Sequence, residues 1–270
     1  MPTIAEMYEF QPIENHAIVG DLHTIALVAL DATIDFMCFP RFDSPSIFAS
    51  LLDADKGGHF QLSPLLDGAR RKQFYLPDSN ILLTRFLAPE GVAEISDFMT
   101  IGLGKPAHNL VRRVKTIRGD FTYRIECRPR FDYGRAEHKC ELTDDGVLFT
   151  STGTDSIALR LRSRIPLKLE NGAAVATFKL EAGHSAAFVL EDGKVASRTN
   201  CGRYIAESFK STMNYWRDWI SHCRYKGRWR EIVNRSALTL KLLVSQEFGS
   251  LVAAPTFGLP EVIGGERNWD

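Results

Sequence analysis

From the start to about residue 200, apolar and polar positions alternate in short runs rich in β-branched and aromatic residues. Glycine-containing turns separate the runs, as expected for antiparallel strands with one buried face. Residues 85–87 and 92–98 flank Pro89-Glu90-Gly91, and 111–117 and 121–127 flank Arg118-Gly119-Asp120. Leu142 and residues 147–150 flank Asp144-Asp145-Gly146, 165–169 and 174–180 flank Asn171-Gly172, and 188–190 and 194–196 flank Asp192-Gly193. Asx-Gly pairs supply the positive φ that tight hairpins need. The pattern predicts repeated hairpins and, from them, a many-stranded antiparallel β-sandwich.

Beyond that point the period changes. Ile205, Phe209, Met213, Trp216 and Ile220 recur at helical spacing, as do Trp229, Ile232, Val233, Ala237, Leu240, Leu243 and Val244. Two amphipathic helices are predicted, over 203–223 and 228–248, with Gly227 between them and Gly249 after the second. Each carries one apolar stripe that must pack against something. The sandwich can cover the first. The second has a wide apolar face and little following chain to cover it. The expected organisation is a sandwich over 1–200, a helical linker over 201–226, and the start of a helical domain over 227–270.

Composition narrows the partners. Thirty-three basic and 33 acidic residues balance, which gives no electrostatic case for nucleic acid or an anionic membrane. No apolar run is long enough to span a bilayer. Met1 to Phe10 hold two acids and no long apolar stretch, so a secretory signal is not expected. The five cysteines are scattered with no C-x-x-C pair, the usage of a reduced, cytoplasmic protein without a zinc or disulfide framework.

Acids cluster early: Asp21, Asp31, Asp35, Asp43, Asp53 and Asp55. Two carboxylates could serve a hydrolase as acid and base. The local pattern favours plainer roles. Asp31-Ala32-Thr33 reads as a turn between strands 25–30 and 34–39, and Asp43-Ser44-Pro45-Ser46 as the cap of a helix over 47–52. His16 has no second histidine or cysteine at ligand spacing, so a structural or solvent-facing role is expected, and no metal site. Arg128 to Arg135 packs three arginines around two aromatics. It fits an anion or sugar grip, or a strand end held by local Arg–Asp pairs. Trp216 and Trp219 read as helix packing. No G-x-S-x-G elbow, P-loop or cofactor motif is present.

Several long segments resemble, in order, the bacterial glucoamylase and trehalase-like enzymes of glycoside hydrolase family fifteen. They are PIENHAIVGDLHTIALVALDATIDFMCFPRFDSPSIFASLLD (12–53), SDFM (96–99), LVRRVKTIRGD (110–120), RPRFDYGR (128–135), WRDWISHCRYKGRWREIVNRSALTLKLL (216–243) and AAPTFGLPEVIGGERNWD (253–270). The resemblance implies an N-terminal sandwich, a helical linker and the first helix of an (α/α)6 barrel. The implied activity is inverting hydrolysis of α-glucosides or trehalose by two carboxyl groups. In that family the catalytic glutamates lie on later barrel loops; Glu261 and Glu266 match neither. No catalytic residue is therefore expected here, and substrate would be met through a barrel beyond Asp270. Arg267, Trp269 and Asp270 are expected at the rim of the sugar pocket. The rival expectation is a free-standing sandwich module that binds a glucan or a partner subunit.

Overall fold

The computed structural model describes residues 11–102, 108–154, 156–195, 201–262 and 264–266. Sixteen strands form two eight-stranded antiparallel sheets. The first contains β1 (His16–Gly20), β2 (Ile25–Ala29), β3 (Ile34–Cys38), β4 (Ser46–Phe48) and β5 (His59–Pro64), with β10 (Phe121–Arg128), β14 (Lys168–Glu170) and β15 (Ala173–Leu180). Its order is β1-β2-β3-β5-β10-β15-β14, with β4 paired to β3. The second contains β6 (Arg70–Tyr75), β7 (Leu82–Ala88), β8 (Gly91–Met99) and β9 (Leu110–Arg118), with β11 (His138–Thr143), β12 (Gly146–Ser151), β13 (Ala158–Ser163) and β16 (Ser185–Asp192). Its order is β11-β12-β13-β16-β9-β8-β7-β6. A single turn, α1 (Phe131–Gly134), and two long helices, α2 (Cys201–Ser221) and α3 (Arg230–Leu242), complete the elements that matter here.

Alternation decides what each sheet buries. Val19, Val28, Ile34, Phe60 and Ile125 of the first sheet meet Ile95, Val114, Phe149, Leu161 and Phe188 of the second in one core. The outer face of the second sheet, at Phe98, Val111 and Val189, is covered by Met213 and Phe209 of α2. Further along α2, Trp216 and Ile220 join Leu238 and Leu242 of α3 over Leu22 and Ile25, so the tryptophan pair serves packing as its spacing predicted.

The predicted hairpins at 85–98, 142–150 and 165–180 form. The one expected at Gly119 does not. There the chain leaves the second sheet after β9 and enters the first at β10, so the apolar faces of successive strands meet across the core. Gly119 turns with φ 78°, and Gly91 lets the Arg118 carbonyl approach so closely that a Cβ would sit 2.0 Å from it. The strand expected over 194–196 does not begin at Lys194 or Val195, which lie in a turn and a bend, Ala196 being outside the described residues; β16 takes β9 and β13 as partners instead. The helix expected over 47–52 is corrected too. Ile47 and Phe48 lie in strand β4, with Phe48 opposite Met37, because a fully buried apolar run is better served by a sheet position. The second long helix ends at Leu242, short of residue 248. Val244 bridges Leu251, and Gln246 N–H donates to Leu22 O at 2.9 Å, so the chain folds back on the sandwich.

Candidate functional site

A cavity of about 730 Å³ lies on the outer face of the first sheet. Its floor comes from outward positions of four strands: His16 and Ile18 on β1, Leu27 and Ala29 on β2, Asp35 on β3, and His59 and Gln61 on β5. Its far wall is Thr239 and Leu243 at the end of α3 and the segment 254–259. A bulge aims the central carboxylate. Val28 pairs with Ile34 but Leu27 pairs with Phe36, so Asp35 is the extra residue and escapes the alternation that would bury it in the core.

Asp35 Oδ2 accepts from His16 Nε2 at 2.6 Å, and the opposite nitrogen, Nδ1, donates to Pro12 O at 3.0 Å. Both ring nitrogens therefore face acceptors, an arrangement satisfied by imidazolium. The Asp35 hydrogen bond pushes the His16 pKa above its ordinary value, against the opposing effect of burial. Asp35 Oδ1 is buried and accepts no hydrogen bond among the described residues. His59 behaves in the reverse way. Burial holds its pKa down, although Glu126 Oε1 at 3.6 Å pulls it up. One cavity thus holds a histidine that favours its proton and another that sheds it, on largely apolar walls. Such a site can donate to and accept from a small polar ligand.

Asp31 keeps the turn role its position suggested, whereas Asp43 caps no helix, since residues 46–48 form a strand. Asp31 Oδ1 accepts from Thr33 N–H, Asp53 Oδ1 from Asp55 and Lys56 N–H, and exposed Asp43 pairs with Arg41. Asp35 is the exception, and His16 is a cavity residue rather than a solvent-facing one. The arginine-rich stretch is locally held: Asp132 pairs with Arg135 at 2.7 Å, and Asp132 and Tyr133 adopt φ of 51° and 56° at the end of β10. Burial pushes the Cys38 thiol up to about 11 and the Cys127 thiol higher still, so neither is a thiolate nucleophile. Arg267, Trp269 and Asp270 lie outside the described residues; Glu261 and Glu266 are exposed. Sequence reasoning passed over His59, since nothing in its spacing from His16 signals a shared cavity.

Residues 7–194 match the trehalase-like N-terminal domain family. Over 97% of its length the chain is 33% identical to a trehalase of Thermoplasma volcanium and 30% identical to a trehalase of Mycobacterium tuberculosis, in each case over 42% of that protein. The chain therefore spans under half the length of the curated relatives it matches. In structure it is similar to a bacterial glucoamylase solved with acarbose. That likeness has a TM-score of 0.64 at 8% identity, over 92% of this chain and 43% of the other, and bears on the fold alone. With a family match over most of its sheets and trehalases aligned along nearly its whole length, the chain belongs to the trehalase-like N-terminal domain family.

Proposed function

We propose that this chain is the N-terminal sandwich of an inverting glycoside hydrolase that acts on α-glucosides in the cytoplasm. The curated relatives favour trehalose as the substrate over maltooligosaccharides. In this reading residues 1–200 are the sandwich, 201–226 the linker and 227–270 the opening of an (α/α)6 barrel that carries the catalytic glutamates. The sandwich alone is then inactive, and Arg267, Trp269 and Asp270 stand at the rim of the sugar pocket.

The observation that carries the reading is the outward side of α3 and the residues around it. Trp229, Ile232, Leu240 and Phe248 are 58%, 64%, 53% and 66% exposed. A helix with that much apolar surface on the side away from the sandwich is suited to lie between two domains. The cavity over His16 and Asp35 favours a second reading, in which the sandwich itself binds a glucan.

The test is to capture the native product from its source cells with an antibody against residues 11–195 and assay it. A product of roughly twice this chain's 30.3 kDa or more that releases glucose from trehalose supports the proposal. Glucose release by the rigorously purified 270-residue chain overturns it. Saturable binding of maltooligosaccharides to that chain, lost in His16→Ala, favours the second reading.

A further inference from the structure

Away from the cavity, three metal-ligating side chains meet at one end of the sandwich. Asp21 and His23 sit in the turn between β1 and β2, and His108 lies just before β9, 87 residues from Asp21. One ligand atom from each lies within 4.8 Å of the other two. Asp21 Oδ1 accepts from the His23 and Thr24 N–H groups at 3.0 Å each, which fixes the carboxylate. Its Oδ2 faces His108 Nδ1 at 2.8 Å. His23 Nδ1 is 3.1 Å from its hydrogen-bond partner Asp21 O and 3.9 Å from Oδ1, and the two imidazoles meet edge to face with centroids 4.9 Å apart.

The group is held by the core rather than carried on a loose loop. Leu22, between the two turn ligands, is 1% exposed and packs in the cluster that contains Trp216 and Ile220. It does so in left-handed backbone, φ 71°, and His108 also has positive φ, 47°. Both are conformations that a non-glycine residue adopts only when its surroundings impose them. Asp21 is buried and the two imidazoles are partly exposed. His23 lines a pocket of about 210 Å³ with Asp43 and Glu247 in its walls, which gives a cation a route in.

We propose that Asp21, His23 and His108 bind a divalent transition-metal ion, zinc being the best fit. The donor set decides the class. Two imidazoles and one carboxylate suit zinc and its borderline neighbours, whereas magnesium and calcium take oxygen ligands. Zinc–ligand bonds of about 2.0–2.2 Å place neighbouring donors about 3–3.5 Å apart; His108 Nδ1 is 2.8 Å from Oδ2 and His23 Nδ1 3.9 Å from Oδ1, so the carboxylate turns a different oxygen to each imidazole. The ion takes the place of the hydrogen bond between His108 and Asp21. Three protein ligands leave one tetrahedral position for water. The ion ties the first turn of one sheet to the segment just before β9 of the other, so it stabilises the fold increasingly as its free concentration exceeds its Kd.

The experiment uses the full 270-residue chain, stripped with a chelator and titrated with zinc chloride by calorimetry and thermal unfolding. One ion per chain and a rise in Tm are expected. His23→Gln and His108→Gln should each weaken binding by about tenfold or more, as losses around metal sites do. His184→Gln, at an exposed position, should leave it unchanged. Absence of saturable binding, or wild-type affinity in both ligand variants, overturns the proposal. Should either variant misfold, X-ray absorption of the zinc-loaded wild type decides: a nitrogen and oxygen shell with scattering from two imidazoles supports the site, and a sulfur shell sinks it.

Discussion

Arg112 donates from Nε to Asp97 Oδ1 at 2.8 Å in the middle of the sandwich, and both side chains are fully buried. The two residues face each other across β8 and β9 of the second sheet. The guanidinium then reaches over to the first sheet, where it donates to Phe60 O and Ala32 O and lies 4.7 Å from the Phe60 ring centroid. One side chain thus joins both sheets through backbone carbonyls and its own counter-ion. Breaking a buried pair from one side leaves an uncompensated charge and costs about 3–5 kcal/mol. Asp97→Asn is expected to lose that much in urea unfolding. An Arg112→Met, Asp97→Leu double variant should recover a large part of it, since a well-packed apolar pair removes the desolvation penalty.

The same pair marks how far the sequence could be read. Asp97 lies in SDFM and Arg112 in LVRRV, two of the segments that carried the family resemblance. Their ordering was visible, but their contact was not. A charged residue at an inward strand position looks like an error in the alternation until the β8–β9 register brings its partner opposite. The hairpins with Asn171-Gly172 and Asp145-Gly146 were legible because turn chemistry is local. The sheet change at Gly119 was not, because a strand's choice of sheet depends on distant partners. The cavity escaped for a similar reason. His16, Asp35 and His59 come from three strands, and Asp35 reaches the outer face only through a bulge. His108 meets Asp21 over 87 positions, so no ligand spacing could announce that cluster.

The two cavity histidines should give opposite pH signatures. His16 has a raised folded pKa, so its contribution is fully present below the free-imidazole value of about 6.5 and is lost as pH rises through the folded value. His59 has a lowered folded pKa, so the unfolded chain takes up a proton that the folded chain resists, and stability falls as pH drops below about 6.5. The Tm difference between wild type and His16→Gln should therefore be widest in mild acid and shrink toward alkaline pH. His59→Gln should lose less stability than wild type on acidification. Parallel Tm–pH curves for wild type and His16→Gln would show that the Asp35 pair does not hold the proton.

Glu191 is a buried carboxyl whose shift has a definite sign. Its two ion pairs are long, Arg162 at 3.7 Å and Arg160 at 4.0 Å, and Arg162 also donates to Asp145 at 2.7 Å. Burial therefore outweighs the arginines and raises the Glu191 pKa from 4.5 to about 7. The folded chain keeps a proton there that the unfolded chain gives up. Relative to Glu191→Gln, wild type should lose stability as pH rises from 4.5 to about 7 and run parallel above that. Urea midpoints across this range check it. A wild type that gains on the variant over the same interval would mean that Glu191 is ionised in the fold.

The third helix has two apolar sides with different fates. On the inner side Leu238 and Leu242 are 2% and 0% exposed. Arg235 anchors that side by donating to Ser79 O at 2.8 Å, with its guanidinium 3.9 Å from the Tyr75 ring centroid. Leu242→Ala leaves a cavity in a packed cluster and should cost about 2–5 kcal/mol. On the outer side, Ile232→Ser should change the stability of this chain by no more than about 0.5 kcal/mol, since it removes no packing. In a longer protein whose barrel covers α3, the same substitution deletes a buried side chain and should cost about as much as Leu242→Ala. Thermal unfolding of Ile232→Ser in both lengths of chain therefore separates a helix between two domains from one that faces solvent. An equal, small effect in both would remove the main support for the interdomain reading.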